Sequence, residues 1–129
     1  MPDSHLSEGV KRFIADRIDS AESLEILLHL HRNPEQSHTA ETLSAAVYTV
    51  PAAALLRLES LVAEGFAATD GAANPSYRYS PSSPALARQV DDLAEAYRGN
   101  RVAVIQTIFA KPQSAAQTMA DAFRLRRAD

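Results

Sequence analysis

Apolar positions recur at helical spacing along most of the chain, and one short stretch of strand-like alternation interrupts them. Leu6 to Ile18 predicts a helix with Val10, Phe13 and Ile14 on one face, and Arg17 at its edge. Asp19 reads as the N-cap of the next helix, and Glu22, three places on, as its capping-box partner. That helix carries Leu24, Leu27, Leu28 and His31 at i, i+3, i+4, i+7, and Ile26 and Leu30 widen the stripe. So wide a stripe implies burial on two sides, and Pro34 ends it.

Thr39 caps a short helix with Leu43, Ala46 and Val47 as its expected inner face. Tyr48-Thr49-Val50 is a turn, and Pro51 stands at the first position of a further helix, where proline is favoured. This helix runs to about Glu64 on an apolar face of Ala54, Leu55, Leu58, Leu61 and Val62, with Gly65 as its stop. Phe66–Thr69 and Ser76–Ser80 are strand candidates around Asp70-Gly71-Ala72-Ala73-Asn74-Pro75, a hairpin-loop composition. Tyr77 and Tyr79 alternate with Arg78 and so share a strand face. Pro81-Ser82-Ser83-Pro84 then leads into one long helix from Ala85 to about Ala110. Its stripe is Leu86, Val90, Leu93, Ala94 and Tyr97, then Val104 or Ile105, Ile108 and Phe109, with a bend allowed at Gly99-Asn100. Lys111-Pro112 closes it, and Ser114 with Gln117 opens a last helix through Met119, Phe123 and Leu125 to Arg127.

Composition narrows the class. At 129 residues and 46% hydrophobic, the chain suits a single domain over 1–129 with a sizeable core. It has no cysteine, which removes disulfides and thiolate metal sites and fits a reducing compartment. The first residues hold no signal-peptide core, and the apolar runs fall far short of the ~20 residues of a membrane span. A soluble cytoplasmic protein is the expectation, with no membrane partner.

Charge is distributed unevenly around a net of -3. Ser20 to Phe66 holds two basic residues against six acidic ones, a net of -4. Arg98 to Asp129 holds six basic against two acidic, a net of +4.

Residues 39 to 66, TAETLSAAVYTVPAAALLRLESLVAEGF, resemble the helix-turn-helix of winged helix-turn-helix transcriptional regulators, the MarR-like ones above all. The resemblance rests on the helix, the three-residue turn, the proline-started helix, Leu58, Leu61 and the stop Glu64-Gly65-Phe66. With the hairpin it covers about a third of the chain. It implies a mainly α fold, a winged helix-turn-helix with a small β-hairpin wing and additional N- and C-terminal helices. The winged-helix core would span 19–80, and helices over 85–127 would form a dimerisation region. It implies further a transcriptional regulator that binds duplex DNA as a homodimer, with the Pro51–Glu64 helix in the major groove. Arg57, Ser60 and Arg78 are then the DNA-contact candidates.

The contact positions of that helix depart from the DNA-reading pattern. Ala52, Ala53 and Leu56 stand where hydrogen-bonding side chains read base edges. Tyr48 holds the turn position usually given to glycine, and Val50 the cap usually given to Ser or Thr. The alternative reading is therefore a winged helix used for protein-protein interaction, a regulatory adaptor docking a partner on Ala52, Ala53 and Leu56. Those three residues could equally be covered by the chain's own helices.

Other chemistry is thin. Arg124, Arg126 and Arg127 are a basic tail or simply cations complementing a helix C-terminus. His29 and His31, at i, i+2, point apart and His38 lies past Pro34, so no metal site is expected. No nucleophile has a nearby base and no glycine-rich phosphate loop exists, so neither catalysis nor a cofactor is expected. Asp91-Asp92 reads as the solvated face of a helix.

Overall fold

The computed structural model describes residues 6–110. They form a mainly helical fold with one two-stranded antiparallel hairpin, in the order α1 (Glu8–Arg17), α2 (Ala21–Arg32), α3 (Ala40–Ala46), α4 (Pro51–Ala63), β1 (Ala67–Thr69), β2 (Tyr77–Tyr79), α5 (Pro84–Gly99) and α6 (Arg101–Phe109). The helix expected over Ser114–Arg127, with Arg124, Arg126 and Arg127, lies outside the described residues.

α2 is the axle of the core. Leu24, Ile26, Leu27, Leu28 and Leu30 point in several directions around it, yet all are buried. α4 packs on one side of it, β2 on another, and α1, α5 and α6 complete the shell. A single apolar cluster runs from Leu6 on the N-terminal side to Ile108 in α6. No described helix is long and apolar enough by itself to cross a membrane.

The cap of α2 is Ser20, whose hydroxyl accepts from the Ser23 amide at 3.0 Å, and not Asp19. Glu22 is drawn away from a capping role because its carboxylate binds Thr49 and Arg57 instead. Thr39 caps α3 as expected, with Thr42 closing the reciprocal pair. The inner face of α3 is rotated from expectation: Leu43 and Ser44 are buried, Ala40 and Val47 pack against the core, and Ala46 is exposed. Ser44 enters the interior because its hydroxyl donates to the Glu41 carbonyl at 2.8 Å and so keeps a partner there.

α3 and α4 meet at 107° across the Tyr48-Thr49-Val50 turn. Tyr48 takes the left-handed conformation, φ 60°, that a non-glycine residue rarely adopts. Gly65 ends α4 at φ 89°, and a Cβ there would stand 2.7 Å from the Ser82 hydroxyl, so glycine is required twice over. Phe66 is then buried edge-on against Phe13, and the Arg17 guanidinium lies over its ring.

The hairpin pairs Ala67 with Tyr79 and Thr69 with Tyr77. On its other edge β2 exchanges two backbone hydrogen bonds with His38, 2.8 and 2.7 Å, which pins the hairpin to the loop before α3. The long C-terminal helix is broken, not bent. Asn100, at φ -153° and ψ 70°, ends α5 and caps α6 by accepting from the Ala103 amide. The break changes the outlook of Phe109, expected on the buried stripe but 73% exposed; Val104 and Ile108 are buried and Val102 is 64% exposed.

Candidate interaction face on α4

The outer face of α4 is built by the same features that orient its inner one. Ala54, Leu58 and Leu61 lock the helix onto the core, so Ala52, Leu56, Glu59, Ser60 and Ala63 face outward. Leu56 is 63% exposed, and the adjoining turn adds Val50 at 61% and Tyr48 at 94%. No described segment of the chain covers Ala52 or Leu56. Ala53 is half-buried, so of the three residues considered for partner docking it contributes least.

Polar chemistry around this face is acidic or already satisfied. Arg57 donates to Glu22 at 2.9 Å and lies 3.8 Å from Asp19, with about a third of its side chain exposed. The Thr49 hydroxyl donates to the other oxygen of Glu22 at 2.6 Å. Thr49 and then Arg57 hold the Glu22 carboxyl below its ordinary pKa, so Glu22 faces Arg57 as a carboxylate at neutral pH. Arg57 thus ties α4 to α2 and has little charge left for a phosphate. The exposed carboxylates Glu41 and Glu59 remain.

Ser60 is exposed on α4, and Arg78 is exposed on β2. Arg78 lines a cleft of about 280 Å³ with Ser37, Thr69, Asp70, Ser76 and Tyr77. Asp70 accepts from the Ala72 and Ser76 amides and the Ser76 hydroxyl, which hold its carboxyl below the usual range. An anion approaching Arg78 through that cleft meets an ionised carboxylate. The three DNA-contact candidates are therefore one paired arginine, one serine and one arginine beside an acid.

The structure also joins residues that spacing separates. The rings of His29 and His38 meet edge to face at 5.2 Å, and burial, followed by the neighbouring His38 and Arg32, lowers the pKa of His29. On the other side of α2, His31 bonds Asp91 at 2.8 Å and stands against Tyr79 at 5.3 Å. Asp91 is thus a partner for His31 as well as a solvated helix residue. Burial pushes the Tyr79 hydroxyl up to about 12. Tyr97 donates to Glu25, fastening α5 to α2. Alternating His29 and His31 signalled opposite faces, but only the fold could supply His38 and Asp91 as their neighbours.

The chain matches no protein-family model, and no curated protein aligns with it significantly. The reading of the α4 face rests on its geometry.

Proposed function

We propose that α2, α3, α4 and the β1–β2 hairpin form a winged-helix unit that docks a protein partner on the outer face of α4, and that the protein is a cytoplasmic adaptor and not an enzyme. One observation carries this reading. The α4 face and its turn offer Leu56, Val50, Ala52 and Tyr48 to solvent, while the cation among them, Arg57, is engaged by Glu22 and Asp19. Contiguous exposed apolar side chains mark interaction sites. A groove-reading helix needs donors and acceptors at these positions and a basic surround for phosphates.

The DNA-binding regulator stands as the second reading, favoured by the exposure of Ser60 and Arg78 at positions its wing and helix would use. A homodimer over residues 85–127 is compatible with either, and the exposed Val102 and Phe109 of α6 support it.

Titration with labelled genomic duplex fragments at low salt and at about 200 mM separates the readings, because the phosphate contribution is strongest at low salt. The protein-docking reading expects no complex in either condition. A complex lost in both Arg78→Ala and Leu56→Glu would overturn it. A photo-reactive p-benzoylphenylalanine at position 56 should give a discrete protein adduct in cells, and none from the exposed position 88 of α5. Nucleic-acid adducts at position 56 would return the helix to DNA.

A further inference from the structure

Leu56 lies between two flanks of α4, and both carry surplus negative charge. On the α2 flank, Arg57 meets two carboxylates, Glu22 at 2.9 Å and Asp19 at 3.8 Å, so the cluster keeps one negative charge. Asp19 is the more open of the two, with 63% of its side chain exposed. On the other flank stands Glu59, exposed and one turn on from Leu56. Burial first and then the Glu59 carboxylate push the Tyr77 hydroxyl up, which sets Glu59 on the hairpin side. From Thr39 to Phe66 the sequence holds no Lys or Arg other than Arg57.

This rim disfavours two occupants. A second copy joined through the same face about a two-fold axis would set these carboxylates among their own counterparts, with Arg57 already engaged. Duplex DNA would bring phosphates to them. An extended strand is disfavoured by the helix itself. The interior amides and carbonyls of α4 bond one another, whereas an added strand needs a free sheet edge. Spacing favours a helix. Leu56 lies about 6 Å along the axis from Ala52 and about 9 Å from Val50. Side chains at i, i+4 and i+7 of a partner helix span about 10 Å.

We propose that the α4 face takes a cationic amphipathic helix of another protein. Apolar side chains at i, i+4 and i+7 seat on Leu56, Ala52 and Val50, and Lys or Arg on the two sides of that stripe meet Glu59 and Asp19. This rests on the reading of the face as a protein-docking surface and names the chemistry of the partner. Exposed ion pairs add little affinity singly, so the apolar stripe supplies the grip and the rim selects the charge.

The probe is a display library of random peptides about four turns of helix long, selected on the full-length protein and depleted on Leu56→Glu. The surviving sequences should share apolar residues at i, i+4 and i+7 and hold more Lys and Arg than Asp and Glu. Selection on a chain carrying Asp19→Lys and Glu59→Lys should turn that excess to acids. Urea unfolding first establishes that each changed chain is folded. Asp19→Asn with Glu59→Gln replaces the lysine pair if needed, and should abolish the excess without reversing it. The strongest cationic sequence, made as a labelled peptide, should bind the lysine chain at least about ten-fold more weakly than the parent at low salt, with the gap narrowing at about 200 mM. Neutral or acidic survivors on the parent overturn the proposal, as does a charge preference that ignores the changes at 19 and 59. So does a position-56 photo-adduct that is a dimer of this chain.

Failure of the underlying docking reading has a different signature. No selected sequence then distinguishes the parent from Leu56→Glu, and position 56 gives no protein adduct in cells. Where a protein adduct does form, the attached partner peptide is sequenced by mass spectrometry. A cationic amphipathic segment supports the proposal, whereas an acidic or neutral one overturns it and leaves the docking reading standing.

Discussion

α2 and α4 are near twins in length, 12 and 13 residues, and both are rich in leucine and alanine or isoleucine. They spend that hydrophobicity differently. In α2, Leu24, Ile26, Leu27, Leu28 and Leu30 are each no more than 2% exposed. In α4, Ala54, Leu58 and Leu61 are buried and Leu56 stands 63% exposed. The apolar residues of α2 are accounted for by folding alone. Those on the outside of α4 are not, and this residue of unexplained hydrophobicity is the strongest functional signal among the described residues.

The sharpest way to break the comparison is to truncate matching leucines. Leu27→Ala should destabilise the protein by about 2–5 kcal/mol, the range for a fully buried leucine. Leu56→Ala should change stability by no more than about 0.5 kcal/mol. Urea unfolding measures both, and equal losses would mean that Leu56 is buried in solution. Next in size is the end of α4. Gly65→Ala places a Cβ at left-handed φ, costing about 1–2 kcal/mol, and the 2.7 Å approach to Ser82 adds to it. A thermal melt indistinguishable from the parent would contradict that geometry.

The link between the two helices comes third. Glu22→Gln weakens the tie to Thr49 and Arg57 and should cost about 1 kcal/mol at neutral pH. Its pH dependence has a definite sign. The folded carboxyl titrates below its ordinary value of 4.5, so its stabilisation is complete above that pH and is lost as pH falls through the depressed value. The parent should therefore lose stability below about pH 4.5 more steeply than Glu22→Gln, and parallel curves would remove Glu22 from the link. The smallest effect is at the turn. Tyr48→Gly relieves left-handed backbone, worth about 1–2 kcal/mol, against a glycine entropy penalty of about 0.5–1 kcal/mol. A net gain of about 0.5 kcal/mol by denaturation, with loss of the position-56 adduct, would show that Tyr48 is kept for contact and not for folding.

Features written in adjacent residues were legible before any coordinates. The Thr39 cap, the Pro51 start, the Gly65 stop and the all-round burial of α2 each follow from chemistry within a turn or two of chain. The misses turned on side-chain hydrogen bonds that apolar periodicity does not register. Glu22 looked like half of a capping box until Arg57, 35 residues on, and Thr49 claimed it, leaving Ser20 as the cap. Apolar spacing gives α3 an inner face of Leu43, Ala46 and Val47, yet Ser44 is buried in place of Ala46, because its hydroxyl finds a backbone carbonyl that periodicity does not count. Asn100 looked like a bend, but its side chain caps α6 so well that the helix restarts, turning Phe109 outward. At the α4 face, Leu56 and Ala52 were legible as an apolar pair from spacing alone. The withdrawal of Arg57 from it became certain only once Glu22 and Asp19 were placed beside it.

The backbone pair between His38 and Tyr77 has a consequence for how the molecule assembles. It joins positions 39 residues apart, so the hairpin cannot settle until the intervening α3 and α4 have closed a long loop, and such closure is slow relative to helix formation. The docking of the hairpin on His38, rather than the local pairing of its two strands, is thus the late step, and once docked it seals the loop in front of α3. Amide protons of His38 and Tyr77 should then exchange with solvent together, as one opening unit, while those of Ala73 and Asn74 at the hairpin tip exchange fastest.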